Sequence, residues 1–121
     1  HLSEVVLPAS LQQIGQDAFV SCRSLRELNL PDSLVQMGRG VFYNCRNLRS
    51  ITLPASLTSV GVYAFMECPE LERVECQSSV PPRAASVFDR HDICLLVPSG
   101  AEDAYRKASG WKVLYGAQKN E

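Results

Sequence analysis

From Leu2 to Leu71 the chain repeats every 23 residues without a break. Leu2–Leu25 reads LSEVVLPASLQQIGQDAFVSCRSL, Leu25–Leu48 reads LRELNLPDSLVQMGRGVFYNCRNL, and Leu48–Leu71 reads LRSITLPASLTSVGVYAFMECPEL. Eight columns are identical in all three units: Leu2/Leu25/Leu48, Leu7/Leu30/Leu53, Pro8/Pro31/Pro54, Ser10/Ser33/Ser56, Leu11/Leu34/Leu57, Gly15/Gly38/Gly61, Phe19/Phe42/Phe65 and Cys22/Cys45/Cys68. A period of this length is the signature of a solenoid, whose coils bury their apolar sides only by stacking on one another.

Each unit divides into three sides. The first, L-x-x-Φ-x-L-P with Φ apolar, has Val5, Leu28, Ile51 and, in a fourth copy, Val74 at Φ. Apolar residues alternating with period two describe a short strand with one buried face. Proline, without an amide hydrogen to donate, ends it. The serine two residues later suits a turn, since its hydroxyl can bond nearby backbone. The second side, L-x-x-Φ-G, is another short apolar segment, and Gly15, Gly38 and Gly61 are expected to supply a positive φ at a turn. The third, x-x-(Ala/Val)-Phe-x-x-Cys-x-x-Leu, has the threefold spacing of a single helical or 3-10 turn.

Stacked coils would pair the first sides as parallel strands about 4.8 Å apart. Identical residues would then form interior ladders. The phenylalanine ladder should contribute most, at roughly 1.5–3 kcal/mol per fully buried ring. Cys22, Cys45 and Cys68 read as small apolar thiols in a tight corner, because free cysteine is strongly inclined to burial. They lack the spacing of a disulfide framework or of a zinc site. Five cysteines cannot all pair within one chain.

The unit L-x-x-Φ-x-L-P-x-S-L-x-x-Φ-G-x-x-(A/V)-F-x-x-C-x-x-L resembles the BspA-like, Treponema-pallidum-type leucine-rich repeat, over Leu2 to about Leu71. It departs from the common leucine-rich repeat in having Pro-x-Ser where an asparagine ladder would follow the strand. The resemblance implies a non-enzymatic cell-surface or secreted protein of the kind found in Bacteroides-like bacteria. Some such proteins are adhesins for host matrix proteins or for other bacteria. The family pattern carries no residue-level binding motif.

The expected fold is a right-handed leucine-rich-repeat solenoid with a helical C-terminal cap. Residues 1–94 form the coils (2–24, 25–47, 48–70 and a degenerate 71–94). Residues 95–121 form a final strand and the cap. In the fourth copy Phe88 keeps the register, Gln77 replaces proline, Ala84 replaces glycine, and His91 falls in the cysteine column. Leu95-Leu96-Val97-Pro98 matches Ile51-Thr52-Leu53-Pro54 if two residues are deleted after Phe88. That register turns Cys94 outward, while Cys76, in the Leu53 column, turns inward; a Cys76–Cys94 bridge stays open as an alternative. Residues 101–109 read as a short helix with Ala104, Tyr105 and Ala108 on one side, stopped by Gly110. Trp111, Val113 and Leu114 should fold back over the last coil, much as the cap of Bacteroides members of the family does. The tail from Ala117 is polar. The N-terminal coil has no comparable cap, which suggests either further coils upstream or self-association through that edge.

A net charge of −1 gives no reason to expect nucleic acid or an anionic membrane as partner. The apolar run Ile93–Val97 is far too short to span a membrane. Nothing suggests a cofactor or a metal. His91, Asp92 and Asp89 are the one cluster resembling acid–base residues, and they read best as a polar turn. The better candidate is the outward face of the parallel sheet, as a surface for a protein partner: Arg26, Glu27, Asn29, Arg49, Thr52, Arg73 and Glu75. Arginine is favoured at binding hot spots. Tyr43 and Tyr63 should project from the loops beside the phenylalanine ladder. A spacer without a partner is the alternative. Carbohydrate binding is disfavoured because the sheet face carries no aromatic platform.

Overall fold

In the computed structural model, residues 7–23, 25–89 and 92–114 are described. Expectations for residues 1–6, for His91 and for the tail from Ala117 lie outside them.

The chain winds as a parallel β-solenoid of about four coils with a small helical cap. Its strands, in chain order, are β1 (Gln13–Ile14), β2 (Glu27–Asn29), β3 (Gln36–Met37), β4 (Ser50–Leu53), β5 (Ser59–Val60), β6 (Arg73–Cys76) and β7 (Cys94–Leu96). They sort into two parallel sheets, β2-β4-β6-β7 and β1-β3-β5. The register keeps the 23-residue period: Leu28 pairs with Ile51, Ile51 with Val74, and Met37 with Val60. Val74 pairs with Leu95, 21 residues on, as the two-residue deletion requires.

The phenylalanine ladder is continuous. Phe19, Phe42, Phe65 and Phe88 stack with ring centroids 5.4, 5.6 and 5.5 Å apart and planes within 11° of parallel. Trp111 extends the column, its centroid 5.8 Å from Phe88 and its plane tilted by 58°. It stands 23 residues after Phe88, so it occupies the same rung position in a fifth turn.

Two polar columns also tie coil to coil. The Ser33 and Ser56 hydroxyls donate to the carbonyls of Leu11 and Leu34 in the preceding coil, at 2.5 and 2.6 Å, and not to nearby turn backbone. The Cys45 and Cys68 thiols donate to the carbonyls of Phe19 and Phe42, both at 3.1 Å. The cysteine column therefore fills space and also satisfies carbonyls that the stacked third side would otherwise bury.

That third side is not a simple 3-10 turn. Within a coil, Ala18, Val20 and Cys22 donate three residues back; the intervening amides of Asp17, Phe19 and Ser21 cross to the carbonyls of Arg39, Val41 and Tyr43 in the next coil. Crossing amides require left-handed backbone at two columns: Asp17, Gly40, Tyr63 and Ser86, and Ser21, Asn44 and Glu67, with φ between 53° and 64°.

The repeated glycines have another purpose than the expected positive φ, which Gly15, Gly38 and Gly61 do not adopt. Gly38 and Gly61 allow close approach. A Cβ on Gly38 would lie 2.6 Å from the amide nitrogen of Gln16, and one on Gly61 would lie 2.5 Å from that of Arg39. The backbones stack too tightly there for any side chain.

At the C-terminal end, α1 (Glu102–Lys107) turns Ala101, Tyr105 and Ala108 toward the last coil, while Ala104 is exposed. The inward face follows four- and three-residue steps from Ala101, so Tyr105 and Ala108 lie on the expected side and Ala101 takes the place expected for Ala104. Ala108, in an extended conformation, ends the helix; Gly110, at φ 86°, then turns the chain into Trp111. Trp111 and Leu114 are buried, but Val113 faces outward. The cap's polar atoms meet the backbone groups that the coil end leaves open. The Trp111 indole donates to Pro82 O at 2.8 Å and the Tyr105 hydroxyl to Ser78 O at 2.6 Å.

Candidate functional site

Strand alternation sorts the first sheet into an inner and an outer face. Leu28, Ile51, Leu53, Val74 and Cys76 are buried. Between them point Glu27, Ser50, Arg73 and Cys94 in one row, and Asn29, Thr52, Glu75 and Leu96 in the next. Arg26 and Arg49 flank these rows on the N-terminal side of β2 and β4. Arg26, Glu27, Asn29, Arg49 and Arg73 are exposed, and Thr52 and Glu75 half-buried. Glu27, Asn29, Thr52, Arg73 and Glu75 therefore have the outward parity of the paired strands, whereas Arg26 and Arg49 precede β2 and β4 and are exposed at their N-terminal ends. Its C-terminal end is less polar than its beginning: Leu96 is 40% exposed. A cleft of about 400 Å³ there has Glu75, Gln77, Leu96 and Pro98 in its walls.

The alternative of a Cys76–Cys94 bridge is excluded by the same register. Cys94 stands opposite Arg73, three rungs short of Cys76, and is exposed, whereas Cys76 is buried with its Sγ in hydrogen-bond contact with the Tyr105 hydroxyl at 2.9 Å. Both are free thiols. Burial pushes the Cys76 thiol above its ordinary pKa, against the pull of the Tyr105 hydrogen bond. Cys45 is pushed up to about 12, again by burial. Neither is a nucleophile at neutral pH.

Of the candidate acid–base cluster, His91 lies outside the described residues. The Asp89 carboxylate accepts the Glu67 amide at 3.0 Å, which ties the fourth coil to the third. Among the described residues, no group of three or more His, Cys, Asp and Glu side chains is placed to hold a metal. No helix among them is long and apolar enough to cross a membrane.

Two of the larger concave regions lie away from the first sheet. One, of about 740 Å³, runs along β3 and β5 over the glycine ladder, between Arg39 and Arg83. The other, of about 520 Å³, lies on the third side and contains Tyr43 and Tyr63, which are 37% and 40% exposed as the loop position predicted. The sequence did not signal that the two tyrosines share a cleft, because they occupy different columns of successive coils.

No curated protein matches the chain at a significant level. The family model for the BspA type Leucine rich repeat region (6 copies) matches residues 1–96. With the 23-residue register, the parallel sheets and the unbroken aromatic column, this match over most of the chain makes it a member of the BspA type leucine-rich-repeat family.

Proposed function

We propose that this chain is a protein-binding module of a cell-surface or secreted protein, with an adhesin-like role, and that it engages its partner through the outer face of β2-β4-β6-β7. Leucine-rich-repeat solenoids are typically used for binding rather than catalysis, and their repeated strands offer an extended surface for it. The observation that carries the reading is the pair of in-register outward rows, Glu27, Ser50, Arg73 and Asn29, Thr52, Glu75, Leu96, with exposed Arg26 and Arg49 at their N-terminal margin. Arginine is among the residues in which binding energy concentrates.

The test is capture of host matrix proteins by the immobilised 121-residue chain. The expected result is a retained protein whose affinity falls at least about 30-fold in Arg26→Ala/Arg49→Ala, the scale of a hot-spot pair. Retention unchanged by that double substitution, or no retention at all, would overturn the assignment. The second outcome would favour a spacer.

A further inference from the structure

The third side carries a cleft that neither the repeat columns nor the family match assigns. Its walls are Gln16 and Asp17 from the first coil, Arg39 and Tyr43 from the second, and Tyr63 and Met66 from the third. Gly40 stands between Asp17 and Tyr63 in one left-handed column, and its lack of a side chain makes room for the Asp17 carboxylate; a Cβ there would lie 2.6 Å from the Asp17 carboxylate oxygen. The Arg39 guanidinium lies over the Tyr63 ring, 5.4 Å from its centroid. Tyr63 is also the bulkiest residue to adopt φ near 64° in that column, where glycine or asparagine would be at ease. Crossing amides set that φ along the whole column, so what marks Tyr63 as a binding feature is its half-exposed ring beside Asp17 and Arg39.

Charge decides what the cleft can take. A cation drawn to Asp17 would meet Arg39, and an anion drawn to Arg39 would meet Asp17. A neutral group avoids both conflicts. It must offer hydroxyls to a carboxylate that only accepts, a guanidinium that only donates and an amide that does both. It must also lay an apolar face on Tyr43, Met66 and the exposed part of the Tyr63 ring that Arg39 does not cover. A hexose ring meets every condition: its axial C–H groups form an apolar face for an aromatic ring, and its vicinal hydroxyls match the paired atoms of carboxylate, amide and guanidinium. A volume of about 520 Å³ suits one or two such rings. The geometry points to a subsite for a neutral sugar residue of a glycan, held by Tyr43 and Tyr63 and oriented by Gln16, Asp17 and Arg39. This site is independent of the sheet face, and each can fail without the other.

Saturation-transfer NMR on the whole chain tests it, with maltohexaose, cellohexaose and mannohexaose as neutral probes, polygalacturonate as an anionic one and a lysine-rich peptide as a cationic one. The expected result is transfer to at least one neutral oligosaccharide, abolished in Tyr43→Ala and reduced at least tenfold in Tyr63→Gly. Tyr63→Gly places in this column the residue Gly40 already has, so it relieves backbone strain and leaves the fold intact. Tyr63→Phe should retain binding, and so should Arg26→Ala/Arg49→Ala, which leaves this face untouched. No transfer to any neutral probe would overturn the proposal. So would transfer that survives Tyr63→Gly, or binding confined to polygalacturonate or to the peptide.

Discussion

The glycine column provides an internal control for its own explanation. If glycine is needed because backbones touch, Gly38→Ala and Gly61→Ala must force coils apart, whereas Gly15→Ala must not, since nothing lies within 4 Å of a Cβ at Gly15. At Gly38 the new methyl would sit 2.6 Å from Gln16 N and 2.8 Å from the carbonyl carbon of Gly15. Normal contact needs roughly 0.8 Å more. That opening stretches the neighbouring Gly38 N–H to Ile14 carbonyl bond, now 2.8 Å, and the Val35 N–H to Gln12 carbonyl bond, also 2.8 Å, beyond useful hydrogen-bond range. Two bonds at about 1 kcal/mol each, with overpacking at about 1–2 kcal/mol, give a loss of about 3–4 kcal/mol. With a urea slope of about 1.5 kcal/mol/M, the midpoint falls by about 2 M. Gly61→Ala should lose a similar amount. Gly15→Ala should be neutral or raise stability by about 0.4–1 kcal/mol through the unfolded chain. Urea titrations of the 121-residue chain, followed by the single tryptophan and by far-ultraviolet circular dichroism, measure all three. A Gly15→Ala variant as damaged as Gly61→Ala would refute the close-approach argument.

Other outcomes follow from the same contacts. Phe42→Ala, at a ring with no exposure and neighbours on both faces, should cost about 3–5 kcal/mol, and Phe19→Ala, at a half-buried ring, clearly less; thermal melts separate them. Tyr105→Phe leaves the buried Ser78 carbonyl without its donor, for a loss of about 1–3 kcal/mol in denaturant titration. Because burial holds the Cys45 thiol protonated up to about pH 12, its contribution to stability is complete below the ordinary thiol value near 9. Above that value the unfolded chain releases the proton first, so stability should fall as pH rises from 9 toward 12, and Cys45→Ala should flatten this slope. A disulfide reagent followed by mass spectrometry should modify Cys94 first, and Cys45, Cys68 and Cys76 only on unfolding.

Much of this architecture was legible because stacking makes every interior column repeat. Leu28, Ile51 and Val74 announce the first sheet by recurring, and the shortened step to Leu95 could be read from the Leu-Val-Pro that follows it. The phenylalanine column carried on to Trp111 at an unbroken interval, yet this was hidden. Strand β7 comes two residues early, the helical turn restores the count, and the residue type changes at the last rung. The purposes of the glycine, serine and cysteine columns were also beyond the sequence. Recurrence shows that a residue is needed, not whether its backbone angle, its size or its hydrogen-bond donor is the reason. The outward facing of Glu27, Asn29, Thr52, Arg73 and Glu75 was legible because parity sets a strand's facing, while Arg26 and Arg49 fall before their strands, where parity does not reach. The tyrosine cleft was not legible, because Tyr43 and Tyr63 meet along a diagonal set by the pitch of the coil.

The tilt of Trp111 bears on how such a wall can be lengthened. Each phenyl from Phe19 to Phe65 offers the next coil a flat ring nearly parallel to its own. A duplicated 23-residue segment inserted among those rungs would find the same seat above and below. Between Phe88 and Trp111 the planes diverge by 58°, and the indole also leans edge-on against Tyr105 at 5.4 Å. A unit spliced there would have to satisfy two ring orientations at once and give up the indole's bond to Pro82. Growth by duplication is thus confined to the run of parallel rings, and the tryptophan marks the point past which another identical turn cannot be seated.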